Sequence, residues 1–219
     1  MSEVPIKVDI EFCSKADLAA RGKSVGDFLY QITKLDEENG LLEEPFEAVV
    51  DRLTPVFDAT EDLWRGILIN GEVKGYWNCV ALDAAHQQTI EDGKLYESYI
   101  NAKNLKTDLL SGQNELLFDS VCIDIPFQGK QYQLSGLIYK SIYNTLSLLP
   151  SKGIKVGNIW ASIWSDHGIR FFSRWGFERV HENNPEGIEV PCDEKHWIYK
   201  VEFNEALRLL EGLIEKYGL

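Results

Sequence analysis

Two strand-like runs with an amphipathic helix between them constrain this chain more than any other feature. The first run, "NELLFDSVCIDI" (114–125), is apolar and β-branched and is stopped by Pro126. In the helix expected over 131–149, Leu134, Leu137, Ile138, Ile142, Leu146 and Leu149 fall on one stripe. Pro150 and Gly153 end it, and "VGNIWASIW" (156–164) is the second run. A strand, a helix and a strand in this order normally form a right-handed crossover with parallel strands. The strand of 116–125 is therefore expected beside, and parallel to, that of 156–163.

The remaining segments predict antiparallel pairing. "PIKVDIEFC" (5–13) alternates apolar and polar residues as a strand does, and 15–58 reads as helices with breaks. Within that stretch Phe46, Val49, Val50 and Leu53 share one helical face after Pro45. "RGILINGEVKGYWNCVAL" (65–82) is a hairpin about Asn70-Gly71, and "DAAHQQTIEDGKLYESYI" (83–100) a short helix and a loop. "SDHGIRFFSRWG" (165–176) is a short helix, with Ser165 or Asp166 as N-cap and Gly176 as its stop. "FERVH" and "KHWIYKVEF" are strands, and "NEALRLLEGLIEKYGL" is a final helix. The expected class is α+β, a mixed α/β arrangement with a mostly antiparallel sheet and one parallel crossover. One domain is expected over 1–219, with a strand and helices in 1–58 and the sheet core in 59–219.

Composition narrows the function classes. With 219 residues, 44% hydrophobic and 11% aromatic, the chain can build a core and is not a disordered one. Its net charge of -13 argues against a nucleic-acid partner, which needs a cationic footprint. It suits a cationic amine ligand, and equally suits solubility alone. Cys13, Cys79, Cys122 and Cys192 are widely spaced, so no zinc cluster is expected; Cys79 and Cys122 read as buried thiols. "MSEVPIKVDI" has no apolar leader core, and no apolar run approaches the ~20 residues that span a bilayer. A cytoplasmic protein with reduced thiols and no membrane contact is the expectation.

Three motifs in order carry a resemblance. "VCIDIPFQGK" joins a strand to a polar loop before a long helix. "SDHGIRFFSRWGFE" is a later short helix closing on Gly-Phe. The hairpin "RGILINGEVKGYW" precedes both. Together they resemble the GCN5-related N-acetyltransferase family. The resemblance implies helices on both faces of the sheet and an acyl-CoA, acetyl-CoA or a longer one, as co-substrate. It also implies an amine acceptor on a small molecule or a protein. In that family the loop and helix start cradle the pyrophosphate, and a bulged strand meets the pantetheine arm and thioester.

Carried over residue by residue, the resemblance assigns Val121, Cys122 and Ile123 to the arm. It assigns Gln128, Gly129, Lys130, Gln131, Tyr132, Gln133 and Ser165 to the cofactor end. Gln131 and Gln133 stand where the family has small residues. Asp119 stands where many members carry a carboxylate that takes a proton from the amine, and His167 is a candidate acid. Phe172 occupies the usual tyrosine position and has no proton to give.

Simple alternation puts Leu117, Asp119 and Val121 on one strand face, with Phe118 and Ser120 on the other. Trp160, Trp164 and Trp175 read as core, with a substrate wall as the minor reading of Trp164; Tyr76 and Trp77 could line the opposite side. "DEENGLLEE" (36–44) reads as a solvated acidic turn. Two functions stand open: an acyl-CoA-dependent N-acyltransferase, and a non-catalytic binding protein on the same fold.

Overall fold

The computed structural model describes residues 8–38, 40, 44–60, 62–95, 100–128, 134–163, 165–183 and 196–219. Among these residues seven strands form one sheet: β1 (Ile10–Cys13), β2 (Trp64–Ile69), β3 (Glu72–Ala81), β4 (Gln113–Ile123), β5 (Lys155–Ile163), β6 (Glu178–Asn183) and β7 (His196–Glu202). Their order across it is β1-β2-β3-β4-β5-β7-β6. Among the described residues only β4 and β5 pair in parallel; every other neighbouring pair is antiparallel. The crossover between them is α5 (Leu134–Leu146), as the apolar stripe predicts.

Each face of the sheet carries a helical layer over its own core. On one face lie α1 (Lys15–Ala20), α2 (Val25–Glu38), α3 (Phe46–Ala59) and α4 (Ala84–Glu91). Their Leu18, Phe28, Leu29, Val56, Phe57 and Ile90 pack with Trp64, Tyr76, Val80, Leu117 and Cys122 of the strands. On the other face lie α5, α6 (Asp166–Ser173) and α7 (Phe203–Tyr217). There Ile138, Ile142, Phe172, Phe203 and Leu210 pack with Trp77, Cys79, Phe118 and Ile159. Trp77 is fully buried and donates its indole N–H to Ser141 Oγ at 3.0 Å, tying the sheet to the crossover helix.

Local chemistry explains the joints. Asn70 and Gly71 take φ of 52° and 82°, the two positive values a tight hairpin turn needs. Ser165, one of the two expected N-caps, accepts from the Gly168 N–H at 3.0 Å. Gly66 lets α2 approach the sheet, since a Cβ there would sit 2.6 Å from the Phe28 ring.

Alternation along β4 fails at one point. Cys79 opposes Phe118 and Asn78 opposes Ser120, so Asp119 is one residue too many on β4, a β-bulge. Before it, Leu117 faces α1–α4 and Phe118 faces α5–α7; after it, Cys122 faces α1–α4 and Val121 the other layer. The expectation that Asp119 and Ser120 lie on opposite faces is thereby corrected. Both belong to the α1–α4 face, and Val121 does not share it. The acidic run is corrected too. Asp36 to Glu38 form the last turn of α2, and Asp36 is half-buried.

Candidate functional site

The bulge coincides with a parting of the sheet. Ladder pairs between β4 and β5 run from Gln113–Lys155 to Phe118–Ala161. Beyond them β4 continues to Ile123 with β3 on one side, and among the described residues no further pair joins it to β5. A wedge opens there between two parallel strands. Along its β4 edge lie Asp119, Ser120, Val121, Cys122 and Ile123.

Asp119 sits half-buried at the apex, and its carboxylate accepts from Asn78 Nδ2 at 3.0 Å. Burial pushes its carboxyl above the usual carboxylate range, against the Asn78 hydrogen bond and the charge of Arg52 on α3. Arg52 is itself held by Glu44 at 2.7 Å and by the Ile100 carbonyl at 3.0 Å. Ser120 Oγ donates to Tyr76 Oη at 3.0 Å, and Tyr76 Oη donates to Asp36 Oδ2 at 3.3 Å. Burial raises the Asp36 carboxyl to about 6, opposed by hydrogen bonds from Cys122 and Tyr76. Sequence reasoning missed Asp36, Ser120 and Asn78. Asp36 was hidden in a run of charges, and Ser120 by the parity that the bulge reverses.

Of the other described sequence candidates, Gln128 follows β4, and Ser165 and His167 follow β5. Gln128 follows a 3-10 turn over Ile125–Phe127, and its side-chain amide donates to the Ile123 carbonyl at 2.7 Å. Gly129, Lys130, Gln131, Tyr132 and Gln133 lie outside the described residues, as does Trp164. Ser165 caps α6 beyond the end of β5, and His167 is exposed in the first turn of that helix. Phe172 is buried. Phe118, Phe171, Trp175 and Phe177 surround its ring at centroid distances of 5.0 to 5.7 Å. Trp77, Trp160 and Trp175 are core residues, and Tyr76 is buried with its hydroxyl in the Asp36 contact. Cys79 and Cys122 are buried as expected.

Among the described residues no group of His, Cys, Asp and Glu could hold a metal ion, and no helix is long and apolar enough to cross a membrane. A cleft of about 360 Å3 on the other face, between β1, β2 and α5, contains none of the residues at the wedge.

No family model and no curated protein matches the chain. Solved structures do. An uncharacterized protein from Bacillus halodurans superposes with a TM-score of 0.51 at 16% identity, over 96% of this chain and 91% of that one. An N-acetyltransferase from Staphylococcus aureus Mu50 gives 0.51 at 12% identity, over 90% and 99%. The chain has the fold of the GCN5-related N-acetyltransferases. Arabidopsis thaliana NAA60, solved in complex with acetyl-CoA, gives 0.50 at 9% identity over 90% and 99%. At such identities the likeness concerns the fold alone.

Proposed function

We propose that the chain is an acyl-CoA-dependent N-acyltransferase acting on an amine. One observation carries the reading: a half-buried carboxylate, Asp119, stands on a β-bulge where β4 parts from β5. The parted strand offers backbone N–H and C=O groups to an amide-rich arm, and a bulge re-aims both backbone and side chain. A carboxylate held above its usual range by burial accepts protons near neutral pH more strongly than a solvated one. In this reading Val121 to Ile123 bind the pantetheine arm, and the segment 128–133 with Ser165 meets the phosphate end. Asp119 takes a proton from the attacking nitrogen. His167, exposed on α6, is the candidate donor to groups at the wedge rim. The acyl group is acetyl or larger, and the acceptor a small-molecule or protein amine.

Phe172 favours a second reading, a non-catalytic binding protein. Its ring is sealed in an aromatic cluster, where it supplies no acid to a leaving thiolate. The two readings separate in one experiment. Coenzyme A and acyl-CoAs of increasing length should raise the melting temperature by mass action and slow hydrogen exchange over 128–136. Acyl transfer to an amine panel, lost in Asp119→Asn, supports the enzyme. Stabilisation without transfer supports the binding protein. No effect of any acyl-CoA on melting or exchange rejects both.

A further inference from the structure

The bulge sets two consecutive side chains, Asp119 and Ser120, on one face of β4. A single bound nitrogen can therefore meet both. Asp119 ends at Asn78, but Ser120 begins a chain. Its hydroxyl donates to Tyr76 on β3, and Tyr76 donates to Asp36 on α2, at 3.0 and 3.3 Å. Both donations point the same way, from the bulge towards a carboxylate. We propose that Asp36, acting through Tyr76 and Ser120, is a second proton acceptor of this site and divides the acid–base work with Asp119. The inference rests on the acyltransferase reading above.

Proton counting gives both carboxylates a task. An alkylammonium carries three N–H bonds and the secondary amide one, so the nitrogen sheds two protons. The first passes to Ser120 Oγ as Ser120 gives its own to Tyr76 and Tyr76 gives its own to Asp36. The freed lone pair forms the N–C bond to the thioester carbonyl carbon, and the C=O π pair moves onto oxygen. The second proton passes to Asp119. The oxygen pair then returns and the C–S bond breaks. Sulfur leaves with its electron pair and takes the proton from Asp119. Asp36 releases its proton to water. The products are an amide, a thiol and one proton, and Asp119 supplies the thiol proton that Phe172 cannot.

The surroundings suit the relay. Burial holds the Tyr76 phenol well above its ordinary range, so it passes a proton without remaining ionised. Asp36, at about 6, is ionised at neutral pH and receptive. The ionisable groups that act on it are Tyr76 and the Cys122 thiol. Charged groups on the packed helices have partners of their own. Arg52 of α3 pairs with Glu44, Lys15 of α1 with Asp58 of α3, and Lys34 of α2 with Glu38. Asp17 of α1 is bound to Ser14.

The test compares Asp36→Asn, Tyr76→Phe and Ser120→Ala with the unaltered protein, using acyl-CoA and an alkylamine panel across acid and neutral pH. Each variant should lower kcat/KM by ~10²-fold with the KM for acyl-CoA unchanged. The acid limb near pH 6 should vanish in Asp36→Asn. The double variant Asp36→Asn/Ser120→Ala should be no slower than the slower single one. An acid limb that stays near pH 6 in Asp36→Asn, or additive losses, would overturn the relay and leave a structural role. If the unaltered protein acylates no amine, the reaction assignment has failed, and carboxyl carbon NMR judges the relay alone. The Asp36 signal should titrate near pH 6 and move upward in Tyr76→Phe, which removes a stabilising donor. Titration in the ordinary carboxylate range, or indifference to Tyr76→Phe, overturns it.

Discussion

Asn78, whose ladder partner is Ser120, donates a hydrogen bond of 3.0 Å to Asp119, the extra residue at the one irregular step of the β3–β4 ladder. Asn78 is 1% exposed, and its donation is what keeps a buried carboxylate from rising further. Asn78→Ala should raise the Asp119 carboxyl and move the acid limb of any Asp119-dependent rate to higher pH. It should also cost ~1–3 kcal/mol, the penalty of leaving a buried acceptor without a partner. A pH–rate profile beside urea unfolding checks both.

Asp36 should make stability depend on pH with an unusual sign. Its folded value lies above the ordinary 3.8, at about 6, so the folded state holds the proton more tightly than the unfolded one. The contribution is fully present below the ordinary value and is lost as pH rises through about 6. The shift is equivalent to at most about 3 kcal/mol. Asp36→Asn should therefore stabilise the protein at neutral pH and do little below pH 4. Urea unfolding at the two pH values reads this directly. Together with a loss of turnover, the gain would mark a functional carboxylate kept at a cost in stability.

Gly75 permits the close approach of β3 and β4 beneath the wedge. A Cβ there would lie within van der Waals overlap of the Cys122 carbonyl oxygen, a backbone atom, and 2.7 Å from Ile123 Cδ1. Gly75→Ala should cost ~1–3 kcal/mol and displace the Cys122–Ile123 backbone. Weakened coenzyme A binding by calorimetry, at a temperature where the variant is folded, is the accompanying outcome.

Ser141→Ala should strand the Trp77 indole N–H in the core and cost ~1–3 kcal/mol. The double variant Trp77→Phe/Ser141→Ala should lose less than the sum of the two single changes, because neither partner is then left unpaired. Denaturant midpoints of the four proteins close that cycle.

Much of the architecture was legible because its signals are local. The stripe of Leu134 to Leu146 gives the crossover helix, Asn70-Gly71 the hairpin, and Ser165 a helix start. The parallel pairing of β4 with β5 follows from the order of those elements. The site was only half legible. Asp119 was singled out by its position before the loop, but its neighbours were assigned by period-two alternation. A bulge at an Asp, with no glycine to announce it, breaks that period without a sequence mark. Asp36 was read with Glu37 and Glu38, which are exposed. Only tertiary packing of α2 on β3 singles out one carboxylate among three.

The stretch of β4 beyond Phe118 has a consequence for self-association. Strands that present unsatisfied main-chain groups at the rim of a sheet invite other chains to extend it, and proteins guard such rims with charges, prolines or short strands. Here the departure of β5 makes a rim in the middle of the sheet, with two further strands beyond β5 on that side. A narrow ligand arm can reach such an interior rim, while a whole foreign strand meets β5 first. The sheet can thus keep an interior strand edge open without offering a seed for polymerisation.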